Sequence, residues 1–483
     1  MTRFRPPHAF MNVPNTIEGP LYETRIPIYP RSVQGRFRNL KWGILILAYG
    51  VYFLLPWLPW ERPVGPSQAV LFDIAARRFY LFDLVVHAQE IFWLAGLLVI
   101  AALLLFFVTG IAGRVFCGDF CFQTLWTDLV LLIERRVQGE RPARIRLDRQ
   151  PWNGEKVLKK SATHLLWLTA AFWTGLTFTL YWGYAPELIV QFFAGTAPFP
   201  AYATTLFLTA TTYVMAGLAR EQVCTYMCPY ARFQSAMFDR DTLIVAYDPQ
   251  RGEGEHGRHK IAKGYKTREE RAAAGVGDCI DCGYCVQVCP TGIDIRNGLQ
   301  YQCISCALCI DACDTIMDSL AWPRGLIRYT SEKEQSGERT RFLKPKNAGY
   351  ALLLIGAVAA LTWSIATHTL LEMTVEQVRQ PLYVRLTDGR IQNSYELKFN
   401  NKSTEFLDLH IELRDLEGAE LDLGRIDHVH LEPDQTLRVM ARVRLDPEGS
   451  SGSRSFRFTV LPDRGDLEPL EAPALFYLPD GGH

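Results

Sequence analysis

Five long apolar stretches dominate the pattern of hydrophobic and polar positions along the chain. They occupy residues 40–60, 89–113, 162–184, 201–218 and 348–370. Each is close to the roughly 20 residues that a helix needs to cross a bilayer, and Trp and Tyr stand near their ends, as at membrane–water interfaces. One such stretch alone would fit a buried soluble helix equally well, but five together favour a membrane domain. The pattern predicts a multi-domain membrane protein with a five-span α-helical bundle.

After the fifth stretch the hydrophobic period changes to two. Apolar and polar residues alternate through short runs, separated by turn-forming residues such as Asn400, Asn401 and Gly418. The apolar members of these runs are Ile391, Tyr395, Leu397, Phe399, Leu407, Leu409, Ile411, Leu413, Val429, Leu431, Leu437, Val439, Ala441, Val443, Phe456, Phe458 and Val460. Short strands at such intervals are typical of a β-sandwich. The pattern therefore predicts a C-terminal immunoglobulin-like β-sandwich.

Two histidines interrupt one of these predicted strands. His428 and His430 are two residues apart, so both would lie on the same face. This arrangement fits a surface copper or zinc site, or simply an exposed strand face, and the second interpretation is favoured.

The Lys and Arg residues between the apolar stretches predict the orientation of the chain. Five lie within residues 25–41 and ten within 114–160, whereas residues 185–200 contain none. Basic residues are enriched on the cytoplasmic side of bacterial membranes, so we expect a cytoplasmic N-terminus. An odd number of spans then predicts a periplasmic C-terminal domain.

Overall composition narrows the class of protein further. Lys plus Arg and Asp plus Glu number 51 each, so net charge offers no support for a nucleic-acid partner. All 12 cysteines fall into pairs or runs with the spacing of metal ligands. This usage indicates a reducing compartment around the cysteines and no disulfide framework.

The most specific motif is a double cysteine run between Cys279 and Cys313. Each half has the spacing C-x2-C-x2-C-x3-C, which is the bacterial ferredoxin pattern for a [4Fe-4S] cluster. In that pattern the fourth cysteine of each run binds the cluster of the other run. We therefore predict one cluster held by Cys279, Cys282, Cys285 and Cys313, and a second held by Cys303, Cys306, Cys309 and Cys289.

Zinc sites and disulfides are the alternatives for this double run. Zinc sites rarely place three cysteines so close together twice over, so the two-cluster interpretation is favoured. Two clusters require a tightly coiled chain, and the small or flexible residues Gly283, Ser305 and Ala307 allow such a coil. Asp314 is a departure from the pattern, because it stands where the second run would have a proline.

The remaining four cysteines form two C-x3-C pairs beside the membrane. Cys117 and Cys121 follow the second apolar stretch, and Cys224 and Cys228 follow the fourth. Both stretches are predicted to end at the cytoplasmic surface, and residues i and i+4 share a helix face, so the four thiols could converge. Such a set suits copper, zinc or a third iron–sulfur cluster, and ordinary packing at helix ends is the other interpretation.

Two arginines, one methionine and three histidines are further candidates for metal-site chemistry. Arg114 and Arg220 are close in sequence to the two pairs and would favour thiolates there. Met227 adds a thioether, although a single Met usually packs. Haem binding would need two facing imidazoles, and the candidates near span ends, namely His87, His164 and His368, favour interfacial packing instead.

These patterns predict five parts in the chain. They are a cytoplasmic N-terminal arm (1–39), a four-span membrane domain with both C-x3-C pairs (40–245), a cytoplasmic connector and two-cluster ferredoxin domain (246–346), a fifth transmembrane helix (347–371) and the periplasmic domain (372–483). Residues 249–277 are rich in Gly, Lys, Arg and Glu, and are expected to be a solvated connector with little core of its own.

Taken together, these motifs resemble the cytochrome oxidase accessory proteins of the CcoG, FixG and RdxA type. The resemblance covers nearly the whole chain and rests on the motifs around Leu21–Pro30, Cys117–Asp128, Cys224–Tyr230, Tyr247–Glu253 and Asn393–Lys402, as well as the double ferredoxin run. Phe122 follows Cys121 where many relatives have proline, which changes the start of the next helix but removes no ligand.

The resemblance implies a multi-pass protein of the bacterial inner membrane that reduces Cu(II) to Cu(I) for assembly of cbb-type cytochrome c oxidase. It implies two [4Fe-4S] clusters on the eight cysteines of the double run, and the family's membrane pairs carry over onto Cys117, Cys121, Cys224 and Cys228. Our own hypothesis is that these four cysteines form the catalytic, copper-reducing end, because their depth and spacing match and thiolates favour Cu(I). The implied partners are copper ions, copper chaperones or oxidase assembly factors, the lipid membrane, and an electron donor that is either soluble or a quinol.

Two other functions share parts of this pattern. A quinol dehydrogenase similar to the NapH and NosR type also has C-x3-C-P pairs and twin clusters, but the predicted sandwich and the N-terminal arm argue against it. A non-enzymatic assembly scaffold, with clusters that sense redox state, is the second alternative. Electron transfer to Cu(II) in a single turnover would separate an enzyme from a scaffold.

Overall fold

The structure is a computed structural model of the 483-residue chain, and it describes residues 27–62, 65–87, 90–403, 405–424, 428–433, 435–446, 452–463 and 468–479. Most of the predicted N-terminal arm and residue 89 of the second apolar stretch lie outside the described residues. Within them the α-helices are α1 (Arg36–Leu54), α2 (Ile91–Ala112), α3 (Phe122–Gln138), α4 (Arg141–Arg149), α5 (Gly154–Leu180), α6 (Ala185–Ala194), α7 (Phe199–Thr212), α8 (Pro229–Ala236), α9 (Pro249–Glu253), α10 (Arg268–Ala273), α11 (Tyr284–Gln287), α12 (Leu308–Ser319), α13 (Glu332–Gln335) and α14 (Pro345–Ala366).

The strands form four sheets in the described residues. In chain order they are β1 (Val70–Asp73), β2 (Arg78–Leu81), β3 (Leu84–His87), β4 (Ile244–Tyr247), β5 (Ile327–Thr330), β6 (Leu371–Gln377), β7 (Val384–Arg385), β8 (Ile391–Asn401), β9 (Leu407–Arg414), β10 (Glu420–Asp422), β11 (Val429–Leu431), β12 (Thr436–Leu445), β13 (Gly452–Pro462) and β14 (Leu470–Leu478). Three one-turn or two-turn π-helices, Phe116–Phe120, Tyr213–Ala219 and Val223–Met227, complete the elements that matter for the site.

The chain forms two compact units. One contains residues up to 52, 104–179 and 198–350, and the other contains 53–103, 180–197 and 351–483. Since the boundaries between the units fall inside α1, α2, α5 and α14 and between α6 and α7, they do not test the five parts predicted from the sequence, which stay predictions.

The five predicted membrane segments are helical over most of their described length. Three described helices are long and apolar enough to cross a membrane, namely Arg36–Trp57, Ile91–Ala112 and Pro345–Ala366. The third segment forms α5, whose first turns carry three lysines. The fourth is divided between α7 and the following π-helix. The described residues therefore support a membrane protein with three candidate spanning helices, and the prediction of five spans is not confirmed.

The C-terminal residues form the predicted sandwich of two antiparallel sheets. One sheet has the order β10-β12-β8-β6 with β7 on β8, and the other has the order β11-β9-β13-β14. Tyr395, Phe399, Phe456 and Phe458 are at most 1% exposed in its core, and burying each aromatic side chain contributes about 1.5–3 kcal/mol. The period-two pattern predicted these core positions correctly, because alternate side chains of a half-buried strand must face inward.

Several elements were not predicted from the sequence. β1, β2 and β3 form a small antiparallel sheet between the first two apolar stretches, and β6 and β14 add edge strands to the sandwich. β4 and β5 pair with each other across about 80 residues of chain. Such long-range pairing leaves no local signal, whereas the β1–β3 sheet has one in three short apolar runs that follow each other closely along the chain.

Candidate redox site

The two cysteine runs adopt the same backbone conformation. In each run the residues on both sides of the second cysteine have positive φ angles, +50° at Asp281 and +67° at Gly283, and +56° at Ser305 and +58° at Ala307. This repeated pair of left-handed residues coils the chain so tightly that three cysteines face one cavity. Gly283 adopts the conformation without a Cβ penalty, whereas Ser305 and Ala307 each carry a strain of about 1–2 kcal/mol that the surrounding packing must offset.

The eight cysteines of the runs line two adjacent cavities. One, partly open to solvent, is lined by Cys279, Cys282, Cys285 and Cys313. The other is lined by Cys289, Cys303, Cys306 and Cys309, and Cys285 contributes to both. This is the same grouping as the predicted ligand assignment, in which the fourth cysteine of each run crosses to the other cavity.

The donor set fits clusters better than single ions. Among the described residues, no three His, Cys, Asp or Glu side chains converge closely enough to hold one metal ion. Four thiols spread around an apolar cavity instead match the larger cube of a [4Fe-4S] centre. Burial raises the pKa of Cys285 and Cys306 to about 12, so these thiols keep their protons until a metal displaces them.

The segment predicted to be a solvated connector is mostly exposed, but it contains one fully buried charge near its end. Arg271 is fully buried, and its guanidinium donates to the carbonyl oxygens of Gly277 at 2.7 Å, His259 at 3.0 Å and Cys279 at 2.9 Å. A buried charge is tolerated because its donors are satisfied. The arginine thereby ties residues 249–277 to the start of the first cysteine run.

The crossed assignment makes a prediction for double variants. If Cys282 and Cys313 hold the same cluster, the Cys282→Ser/Cys313→Ser protein should lose only that cluster. It should keep half of the iron, half of the sulfide and one of the two EPR signals of the reduced protein. The Cys306→Ser/Cys313→Ser protein, in which both clusters are damaged, should lose all of its iron, all of its sulfide and both EPR signals. Equal losses in the two double variants would contradict the crossed pattern.

The two C-x3-C pairs share one local geometry, which differs from the predicted helical turn. Cys117 and Cys224 lie in one-turn π-helices. Cys121 and Cys228 are extended, with ψ angles of 130° and 110°, and immediately precede α3 and α8. Phe122 begins α3 as Pro229 begins α8, so the departure from proline leaves this geometry unchanged. One-turn π-helices are frequent at functional sites.

Arg114 connects the pairs to the second cysteine run. Its guanidinium donates to the carbonyl oxygens of Tyr301, Cys303 and Ala231, and its charge interacts with Cys117, Cys224 and Cys228. These contacts tie the residues after α2 to α8 and to the loop that carries Cys303. Arg114 is 2% exposed, so its charge acts on these thiols in a poorly solvated environment.

Gly118 brings the first pair directly against that loop. A Cβ at this position would lie 2.9 Å from the Ile304 carbonyl oxygen and 3.0 Å from the Cys306 nitrogen and Cα. Side chains cannot come so close, so glycine is required where the two backbones meet. The first pair and the second cysteine run therefore form one packed joint.

A buried glutamine, which sequence analysis missed, contacts the first pair. Gln234 is 0% exposed, and its Oε1 accepts a hydrogen bond from the Cys117 thiol at 3.0 Å. Its Nε2 donates to the Tyr230 hydroxyl at 2.9 Å and to the Thr109 hydroxyl at 3.2 Å. Gln234 and Tyr230 lie one helical turn apart in α8, just after the second pair. This spacing places both side chains on one face of the helix and could have identified them from the sequence.

Charge and burial act in opposite directions on these thiols. Burial raises the pKa of Cys117 to about 12 and that of Cys224 to about 11, and the nearby Arg114 lowers both only in part. The sequence led us to expect that Arg220, like Arg114, would favour thiolates at the cysteine pairs, but its guanidinium has other partners. It forms an ion pair with Glu134 and stacks on Trp167 at 5.1 Å.

A further cavity lies between Cys224 and the second cysteine run. Its lining comprises Lys41, Gln123, Thr124, Thr127, Asp128, Arg220, Glu221, Cys224, Pro290, Thr291 and Ile304. Asp128 is held there by ion pairs with Arg38 at 3.2 Å and Lys41 at 3.0 Å. Glu221 is the remaining carboxylate of the lining, and it lies three residues before Cys224.

The three candidate histidines near the span ends have protein partners. His164 Nδ1 lies 2.8 Å from the Tyr213 hydroxyl, whereas His87 and His368 both contact Glu90. Met227 is 61% exposed.

Two protein families match this chain. The model of the 4Fe-4S dicluster domain matches residues 219–332, and that of the Ig-like fold at the C-terminus of FixG matches residues 361–479. A dicluster domain joined to apolar helices defines a membrane iron–sulfur redox protein.

Three relatives extend this likeness over most of the chain. Protein RdxA of Cereibacter sphaeroides is 45% identical over 80% of this chain and 82% of its own. Protein RdxB of the same organism is 44% identical over 86% of each chain, and nitrogen fixation protein FixG of Rhizobium meliloti is 39% identical over 92% and 91%. The chain belongs to the FixG/RdxA family. A solved FixG-related protein from Vibrio parahaemolyticus shares 20% identity, covers 23% of this chain and 97% of its own, and has a TM-score of 0.21.

Proposed function

We propose that this protein reduces Cu(II) to Cu(I) at Cys117, Cys121, Cys224 and Cys228. The observation that carries the proposal is the joint at Gly118, where the first pair packs against the backbone of Cys306. Two [4Fe-4S] clusters, when bound by the eight cysteines of the runs, supply one electron at a time. Each Cu(II) ion takes up one electron and becomes Cu(I), and no covalent bond in the protein changes.

The four thiols have the chemistry that this reaction needs. Thiolate is a soft ligand that favours Cu(I) over Cu(II), so binding at these residues makes the reduced product more stable. Cys117 interacts electrostatically with Cys121, Cys224 and Cys228, so the pairs are close, although they do not converge on a single ion. We propose that a copper ion is held by one pair at a time and passes from one pair to the other, so that both pairs are needed. The cavity beside Cys224, with Glu221 in its lining, is the entry that we assign to the cation.

The same proposal includes five membrane spans with cytoplasmic clusters and a periplasmic sandwich. Its support is the charge distribution along the sequence, together with the helical state of α5 and of the continuous helix formed by α7 and Tyr213–Ala219. The bacterial inner membrane is the proposed location. The proposed partners are an electron donor, soluble or a quinol, and the chaperones or assembly factors that deliver Cu(I) to cbb-type oxidase.

A single-turnover experiment tests the reaction. Anaerobically reduced protein with both clusters loaded should convert Cu(II) to Cu(I) without further reductant, in a ratio of one copper per reduced cluster. A Cu(I)-specific chelator measures the product, and the loss of the cluster EPR signals measures the electrons. Protein that stays reduced in the presence of Cu(II) would be a scaffold and would contradict the proposal.

Cysteine labelling in whole cells tests the orientation. Glu417 and Glu255 are both exposed, and the proposal places them on opposite sides of the membrane. A membrane-impermeant maleimide should label Glu417→Cys in intact cells, and Glu255→Cys only after permeabilisation. The unmodified chain provides the background, and the reverse labelling would overturn the orientation.

A further inference from the structure

The outer face of one sandwich sheet carries a group of histidines and carboxylates that the proposed electron path does not use. β11 pairs with β9 so that Val429 lies opposite Leu409, and the neighbouring His428 and His410 therefore lie side by side. Their two Nδ1 atoms are 3.1 Å apart. Only His428 and His430 stand out in the sequence, because His410 lies on another strand.

This separation matches two ligands of one metal ion. Imidazole nitrogens bind zinc at about 2.0–2.1 Å. Two nitrogens that are 3.1 Å apart would then subtend an angle of about 98° at the metal. That value lies near the right angle between neighbouring ligands of a square-planar ion, which is the geometry that Cu(II) prefers with nitrogen and oxygen ligands.

A carboxylate lies behind one of the rings. Asp463 Oδ1 is 3.2 Å from Nε2 of His410, and its negative charge favours the tautomer with the proton on Nε2, which leaves the Nδ1 lone pair of His410 for a metal. Carboxylates behind metal-binding histidines have this role in many proteins. His430 is arranged differently, because its Nδ1 is engaged by Asp408 at 2.7 Å.

We propose that His410 and His428 form a binding site for a divalent transition-metal ion, with Cu(II) bound most tightly. Cu(II) is preferred because it heads the affinity order of divalent ions for a given nitrogen site. The His410 side chain is 43% exposed, and no third side chain among the described residues converges with the pair. Water would fill the other positions, so the ion could exchange readily. The site stands on its own geometry and does not depend on copper reduction at the cysteines.

Cu(II) EPR of the full chain with oxidised clusters tests the site. One equivalent of Cu(II) should give a signal with hyperfine coupling to two nitrogens. The Cys121→Ser/Cys228→Ser background prevents reduction at the proposed cysteine site from removing the signal, so a failure of the proposed function cannot be mistaken for a failure of this one. His410→Asn/His428→Asn should lose the two-nitrogen signal, and His430→Asn, on the same exposed face, should keep it.

Replacing Asp463, the carboxylate beside His410, should weaken Cu(II) binding without abolishing it. Asp463→Asn should weaken Cu(II) binding by about 10–100-fold while the two-nitrogen coupling persists at saturation, as loss of an orienting carboxylate does. The far-UV circular dichroism of each variant should match that of the parent. A signal that survives in His410→Asn/His428→Asn, or an absence of nitrogen coupling in the parent, would overturn the proposal and leave a plain His–His hydrogen bond.

Discussion

Replacing Cys121 or Cys228 by serine is expected to abolish single-turnover Cu(II) reduction while both cluster signals remain in the EPR spectrum. Each cysteine is the extended member of its pair and immediately precedes a helix. Serine preserves the size and the hydrogen bonding of the side chain but removes the soft ligand that favours Cu(I). We expect at least a ~100-fold fall in rate for either variant, which corresponds to about 2.7 kcal/mol of lost stabilisation.

Met227→Leu is the matched control for these variants. Met227 directly precedes Cys228 and carries the other soft sulfur of this segment, but its side chain points to solvent with 61% exposure. Leucine has a similar volume, so this variant should reduce Cu(II) at the parental rate. A loss of activity in Met227→Leu would mean that the thioether, rather than the thiol pair, binds copper.

The same cysteine variants also distinguish the two alternatives for this site. If the four thiols hold a third iron–sulfur cluster, Cys121→Ser and Cys228→Ser should each lose one cluster's worth of iron and sulfide. If the thiols only pack at helix ends, the variants should keep both their metal content and their Cu(II) reduction, and the proposed site would be wrong.

A bulky side chain at Gly118 is expected to separate the cysteine pairs from the clusters. In Gly118→Leu the new Cβ would overlap with backbone atoms of Ile304 and Cys306, which cannot rotate away as a side chain could. Overpacking of this kind costs about 1–3 kcal/mol, and either backbone must shift to relieve it. We expect Cu(II) reduction to slow by at least ~10-fold, with the cluster of the Cys303–Cys309 run destabilised.

Gly349→Leu is the control for this prediction, because a Cβ at Gly349 has no atom within 4 Å. It should keep the parental rate and iron content. Gly118→Ala, which adds only the Cβ, should fall between the parent and Gly118→Leu. Full activity and full iron content in Gly118→Leu would mean that the joint is not part of the electron path.

The sandwich core and the cysteine runs could be predicted from the sequence because both depend on local spacing. Alternation at positions such as Tyr395 and Leu397 is enough to select the buried face of a strand. The C-x2-C-x2-C-x3-C spacing selects the coiled loops in the same way, and the left-handed conformations of Gly283 and Ala307 follow from it. The membrane segments were harder, since α5 and α7 carry a weaker apolar signal than α2.

The sequence by itself determined the family, the dicluster domain and the outward and inward faces of the sandwich, because each depends on residue types at short, regular intervals. Only the tertiary structure decided what meets across long separations. It placed Gly118 against Cys306, Gln234 on Cys117, Arg220 on Glu134 rather than on the thiols, and His410 beside His428. These pairs are set by the packing of whole elements, and packing between distant segments leaves no periodic trace in either segment alone.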